Sequence, residues 1–150
     1  MINGSVKSTD NRHATLHRGD ELWAKLRGAL DARLESPLGS STEWTGHDVY
    51  AHFARWQQQS LNAAREHLAG RRPAEPAEDE DTLNNRWHEE DKGLASEAAR
   101  ERCLRTRTEL RNLLLGLTDA QWDLWGRRVA ADISGEHYEH HLASLGDRRP

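Results

Sequence analysis

The sequence predicts an all-α fold, an antiparallel four-helix bundle in a single domain spanning residues 1–150. Three observations carry this. Apolar residues recur every three or four positions along four long stretches, as one buried face of an α-helix requires. Strong boundary signals punctuate those stretches: Thr45 with Asp48, and Thr118 with Gln121, read as capping boxes, while Pro37, Gly39, Gly70 and Pro73 stand between the periodic segments. Finally, no stretch alternates apolar and polar residues as a half-buried strand would, and there is no G-x-G-x-x-G and no internal repeat. In a bundle of this kind, sites are commonly built from side chains on facing helices.

Taken in order, residues 1–10 are small and polar and read as a loose lead, with Ser8, Thr9 or Asp10 capping the first helix. Helix one runs to about Leu34 with Leu16, Trp23, Leu26, Leu30 and Leu34 on one face and Gly19 as its weak point. Ser36-Pro37-Leu38-Gly39-Ser40-Ser41 ends it. Helix two opens at the Thr45 cap, where Trp44 and Val49 are spaced for a hydrophobic staple. Its face is Val49, Phe53, Trp56, Ser60, Ala63, Ala64 and Leu68, with His52 on the same side and Gly70 as the stop. Residues 71–81, with Pro73, Pro76 and a run of acids, predict an exposed connection. Polar residues dominate every face of 83–90, which predicts a short helical turn or an irregular segment. Helix three runs from about Ser96 to Leu117, with Cys103, Leu110, Leu114 and Leu117 as its stripe. Thr118 opens a short segment containing Trp122, Leu124 and Trp125 that Gly126 ends, and helix four covers about Val129 to Leu145.

Bulk properties exclude several functions. The formal charge is −4, and the 18 arginines are interleaved with acids, so there is no basic footprint for nucleic acid. A single cysteine, Cys103, rules out an intramolecular disulfide framework and fits a reducing cytoplasm. No window approaches the roughly 18 apolar residues of a membrane span, and the first ten residues lack the apolar centre of a secretion signal. Only 35% of residues are hydrophobic, but six tryptophans supply large surfaces for a core.

The chemistry concentrates near the C-terminus. His137 and His141 are four apart, so on a helix they aim two imidazoles at a common point, and the same row continues through Val129, Ile133 and Leu145, which turns them inward. His52, on the buried face of helix two, supplies a third. Three neutral imidazoles suit zinc, nickel or iron, and three protein ligands leave positions open for water or substrate. The same spacing also arises where core histidines bond carbonyls or acids. Glu136 with His140 forms a competing register on a face without apolar companions. His13, His17, His47, His67 and His88 read as surface residues, and Cys103 as a small core residue. No Ser-His-Asp arrangement or phosphate-binding loop is visible.

Three segments together resemble one family: Trp44-Thr45-Gly46-His47-Asp48-Val49-Tyr50-Ala51-His52-Phe53-Ala54-Arg55-Trp56, then Leu83-Asn84-Asn85-Arg86-Trp87-His88-Glu89-Glu90, then Glu136-His137-Tyr138-Glu139-His140-His141-Leu142. Their order and separations are similar to the DinB-like superfamily, in its branch around the DfsB and mycothiol-dependent maleylpyruvate isomerase families. The likeness covers about residue 15 to the end. It implies a divalent metal held by one histidine of the second helix and two ligands of the last, which by position are His52, His137 and His141. The isomerase branch carries a carboxylate among the last-helix ligands where this chain has His137, and nothing here reads as the carboxy-terminal domain of the full isomerase.

The resemblance implies an enzyme that activates water or a low-molecular-weight thiol of the mycothiol type against an electrophilic small molecule. Asn84 and Arg86 would orient the substrate, Arg86 being suited to a carboxylate, and Trp56 and Trp87 would wall the cavity. A second expectation is a metal-independent self-resistance protein of the ClbS type, binding or hydrolysing a reactive natural product through Tyr50, Glu90 or a histidine as general base. A third is a non-catalytic binding or dimerising module. In each the partner is a small molecule or a second copy, not a membrane or nucleic acid.

Overall fold

The computed structural model of the chain describes residues 3–39 and 42–146, with side chains at 11–39, 42–135 and 137–142. The Ser40-Ser41 stop and the side chains of Glu136 and Leu145 therefore lie outside the described residues, whereas the helix start expected at Ser8, Thr9 or Asp10 is corrected: their backbone already lies within the first helix, which begins at Asn3. The described fold is all-α apart from one small hairpin.

Helix α1 spans Asn3–Ala32, so most of the stretch expected as a loose lead is helical backbone. No proline interrupts it, and Gly4 falls in the first turn, where a helix tolerates it. Leu16, Trp23, Leu26 and Leu30 are buried as their spacing requires. A two-stranded antiparallel hairpin, β1 (Pro37–Gly39) and β2 (Thr42–Thr45), comes next where only a helix stop was predicted. Strands this short are below the length at which alternation is legible.

Helix α2 spans Gly46–Leu68 and begins at the predicted capping box: the Thr45 hydroxyl accepts from the Asp48 amide at 3.2 Å, and the Asp48 carboxylate accepts from the Thr45 amide at 3.0 Å. Thr45→Ala is expected to cost about 1 kcal/mol of stability, read from urea unfolding; a loss near zero would mean that the docking of α2 on α1 holds the helix start without the cap. That docking is tight, because the Gly46 and His47 amides donate to the Arg33 and Leu34 carbonyls at 2.8 and 3.0 Å. The expected stop at Gly70 is present at a φ of +76°, a conformation glycine adopts without penalty. Leu68, assigned to the buried face, is 48% exposed; it lies in the last turn, beyond the reach of the packed helices.

Helix α3 (Glu80–Asp91) stands where a short helical turn or an irregular segment was expected at 83–90, so the segment is helical but longer than a turn. The Asp79 carboxylate caps it by accepting from the Thr82 amide at 2.7 Å, Glu80 and Asp81 suit the positive end of the helix, and Leu83 and Trp87, four apart, are its buried apolar residues. Two apolar anchors plus a cap suffice when the rest of the helix is solvated.

Helix α4 (Ser96–Leu115) buries Ala99, Cys103, Leu110 and Leu114. Buried Arg12 of α1 caps its far end, donating to the Leu117 carbonyl at 2.7 Å and pairing with Asp119 at 2.9 Å. Next comes α5 (Asp119–Gln121), opened by the predicted Thr118 box, then a π turn at Trp122–Gly126, α6 (Arg127–Val129) and a 3₁₀ turn at Ala130–Ile133. Gly126 was expected to end this segment, but the chain continues through it in helical geometry. Its role is close packing, since a Cβ there would sit 2.7 Å from the Leu117 side chain.

The last helix, α7, spans Gly135–Gly146 instead of starting near Val129. Ser134 is extended and breaks the helix, so Val129 and Ile133 belong to the preceding turns and do not continue the histidine row. Gly19 explains the position of the break: a Cβ on it would lie 2.1 Å from the Ile133 carbonyl oxygen. The glycine that reads as a helix weakness is where α1 admits the backbone of the break. Across the core, α2 packs most extensively against α4, and α1 lies against α7. Trp23, Tyr50, Phe53, Trp122 and Tyr138 are the large buried aromatics between them.

Candidate metal centre

His52 comes from the middle of α2, and His137 and His141 from successive turns of α7. The structure brings these three together: one ligand nitrogen from each lies within 4.8 Å of the other two. Ring centroids are 5.5 Å apart for His52 and His137, 5.3 Å for His52 and His141, and 5.0 Å for His137 and His141. Phe53 supports the cluster from the core, edge-on to His137 at 4.8 Å and to His141 at 4.9 Å.

Burial, with the neighbouring imidazoles His141 and His137 second, holds His52 well below the usual histidine range. Burial and then His137 and His140 push His141 down to about 3. Both rings are therefore neutral at pH 7, the form that ligates a metal. This links the cluster to stability. Above about pH 6.5 neither the folded nor the unfolded chain protonates these two rings, whereas below it only the unfolded chain takes up the protons. The metal-free protein should lose stability as the pH falls from 6.5 toward 4, by up to about 1.4 kcal/mol per pH unit for each of the two histidines. Urea unfolding at pH 7, 6 and 5 measures this, and a flat profile would contradict the burial of the two rings.

His137 has a partner outside the cluster. Its buried Nδ1 forms no hydrogen bond among the described residues, but the Asp132 carboxylate stands 3.5 Å away. Asp132 in turn accepts a short hydrogen bond from the Ser60 hydroxyl of α2. A carboxylate behind a metal-binding imidazole fixes its orientation and raises its basicity. Asp132 is not apparent from the sequence, because the Ser134 break lies between it and His137 and no helical spacing links them. Ser60 reads correctly as lying on the inner face of α2, but with no role.

A cleft of about 530 Å³ opens beside the cluster, lined by Trp56, Glu80, Ala131, Asp132, His137 and His140. Trp56 is thus a wall of this cleft, and its indole donates to the Asn84 side chain at 2.7 Å. Asn84 is the anchor of that wall. Arg86 is elsewhere, on an exposed face of α3, held by Glu78 at 2.7 Å and Glu90 at 3.1 Å. Trp87 is buried, edge-on to Trp56 at 5.0 Å.

Of the histidines expected at the surface, His13 and His17 are exposed. Three are not simply solvated. His47 is buried and bonds the Leu94 carbonyl at 2.7 Å, His67 stacks on Trp125 at 4.8 Å, and His88 stacks on Trp44 at 4.6 Å. Trp44 therefore has His88 as a stacking partner and also packs against the core cluster that includes Val49. Each of these histidines meets an aromatic ring or carbonyl from another element, which spacing within one helix does not reveal.

Other candidate reactive groups are occupied. Buried Tyr50 donates to Asp31 at 2.6 Å, and burial together with that carboxylate pushes its phenol up. Glu90 is paired with Arg55 and Arg86. Burial pushes the Cys103 thiol up to about 12, consistent with a core cysteine. Tyr138, buried beside His137, accepts from Arg107 at 3.0 Å, and Arg107 pairs with Asp20 at 2.9 Å, so α7 is tied to both α4 and α1.

This all-α chain is a member of the DinB-like superfamily. The chain belongs within it to the mycothiol maleylpyruvate isomerase N-terminal domain family, whose sequence profile matches residues 16–138. The matched span includes His52 and His137 and ends before His141. Comparisons with curated proteins and with solved structures each returned no match. No helix among the described residues is long and apolar enough to cross a membrane.

Proposed function

We propose that this protein is a divalent-metal enzyme of the cytoplasm, a four-helix bundle of α1, α2, α4 and α7 that uses His52, His137 and His141 as ligands and acts on an electrophilic small molecule with water or a mycothiol-type thiol as nucleophile. The observation that carries this reading is the convergence of three ligand nitrogens within 4.8 Å. Bonds to zinc of about 2.0–2.1 Å would require the three nitrogens to draw closer together than this. The donor set fits zinc, nickel or iron: two of the rings are held neutral, and His137 has a carboxylate behind it.

A metal on these imidazoles supplies the Lewis acidity that makes a thiol or water nucleophilic near neutral pH. The remaining work falls to the chain itself. Asp132, fixed by Ser60 and 3.5 Å from the His137 Nδ1, would orient that ring, Trp56, fixed by Asn84, would give the substrate a flat wall, and the cleft beside His137 would admit it. Membership of the mycothiol family supports the thiol as cosubstrate.

The metal-independent resistance reading has one observation in its favour. His140 lines the same cleft and is exposed, where it would serve as general base toward an electrophile. Consumption of an electrophile such as maleylpyruvate with mycothiol, assayed before and after chelation, separates the two. Loss of turnover on chelation and its return with added metal is expected. Equal rates after chelation would favour the second reading.

A further inference from the structure

A second, mostly enclosed space lies between α2 and α3, lined chiefly by Trp44, Asp48, His52, Asn84, His88 and Asp91, and it leaves about 10 Å³ for the centre of a water molecule. A single water needs roughly that much room, together with two to four polar partners. The lining has them in spare capacity. Asn84 receives the Trp56 indole on its carbonyl oxygen, so its amide group is left to donate. Asp48 accepts from the Thr45 amide, approaches His47 at 3.2 Å and has the His88 Nε2 3.5 Å away, against about four acceptor positions on a carboxylate. A metal-binding histidine characteristically donates its other ring N–H to a carboxylate, carbonyl or water, and His52 has no such partner among the described residues.

We propose that this space binds one structural water that bridges His52 to α3: it accepts from a His52 ring N–H and from the Asn84 amide, and donates to the Asp48 carboxylate. The bridge fixes the His52 tautomer with its other nitrogen free to ligate. Asn84 then has two tasks, anchoring Trp56 through its oxygen and orienting a ligand histidine through its nitrogen, and is a positioning residue of the centre. It also gives α3 a function, since the helix closes the space without contributing a ligand. The water is testable without a metal, whereas the positioning role rests on the metal reading above.

A high-resolution crystal structure of the metal-free wild-type protein tests the water alone. One peak within about 3.2 Å of a His52 ring nitrogen and of the Asn84 amide is expected; an empty space, or a water that does not reach His52, overturns the proposal whether or not a metal binds. Cobalt(II) titration followed by visible absorption tests the positioning role. Asn84→Leu should weaken cobalt binding by about 10- to 100-fold and shift the absorption of the ion that still binds, whereas a purely structural role would leave the spectrum of bound cobalt unchanged. If Asn84→Leu does not fold, the wild-type crystal still decides on the water. If wild-type protein takes up no cobalt, the metal reading and the positioning role fall together, and the water is judged by the crystal alone.

Discussion

A His137→Ala variant is expected to bind zinc at least ~100-fold more weakly than the wild type in competition with a chromophoric chelator, while keeping its helical content. The size reflects position. An outer partner of a ligand histidine is worth about 10- to 100-fold in affinity, and His137 is proposed as a ligand itself, one of the three converging rings, with Asp132 3.5 Å from its Nδ1. Asp132→Ala should fall within that smaller range. His140→Ala should leave affinity within about threefold, because His140 faces the cleft and is not part of the converging set. A large loss in His140→Ala with none in His137→Ala would establish the competing register with Glu136.

Gly19→Ala is expected to destabilise the protein by about 3 kcal/mol and to lower metal affinity with it. In an isolated helix the same change stabilises by roughly 1 kcal/mol, so the sign is diagnostic. Here the added methyl would meet the Ile133 carbonyl oxygen at 2.1 Å and the Ser134 Cα at 3.0 Å. These are backbone atoms of the break that launches α7, and they cannot move aside as a flexible side chain would. Gly28, on the exposed side of the same helix with nothing within 4 Å of an added Cβ, provides the contrast. Gly28→Ala should be neutral or stabilising by up to about 1 kcal/mol. Urea unfolding of both variants measures the difference, and similar effects at the two positions would mean that α7 is not braced against α1 at Gly19.

These two positions also mark how far the sequence could be read. His137 and His141 were legible because a four-residue spacing survives any helix boundary drawn outside them, and His52 because the Thr45 box fixed the register of α2. The all-α class rested on the same periodicities. Gly19 was legible only as a weak point, since its reason is a backbone from more than a hundred residues away. Asp132, on the far side of the Ser134 break, belongs to no helical pattern that includes His137. The full length of helix α3 was not legible, only a short turn or an irregular segment, because two apolar anchors, Leu83 and Trp87, leave almost no periodic signal. Arg86 looked fit for a carboxylate ligand by residue type, but Glu78 and Glu90 beside it in space already occupy its guanidinium. Charges that satisfy one another across a surface cannot be paired from sequence spacing alone.

The central claim is that His52, His137 and His141 hold one metal ion. Anomalous diffraction at the zinc edge, from crystals of untagged protein grown with equimolar zinc, tests it most directly. A single peak is expected at bonding distance, about 2.0–2.1 Å, from one nitrogen of each of the three rings. No peak at the cluster, or a peak on His140 and Glu136, would contradict it.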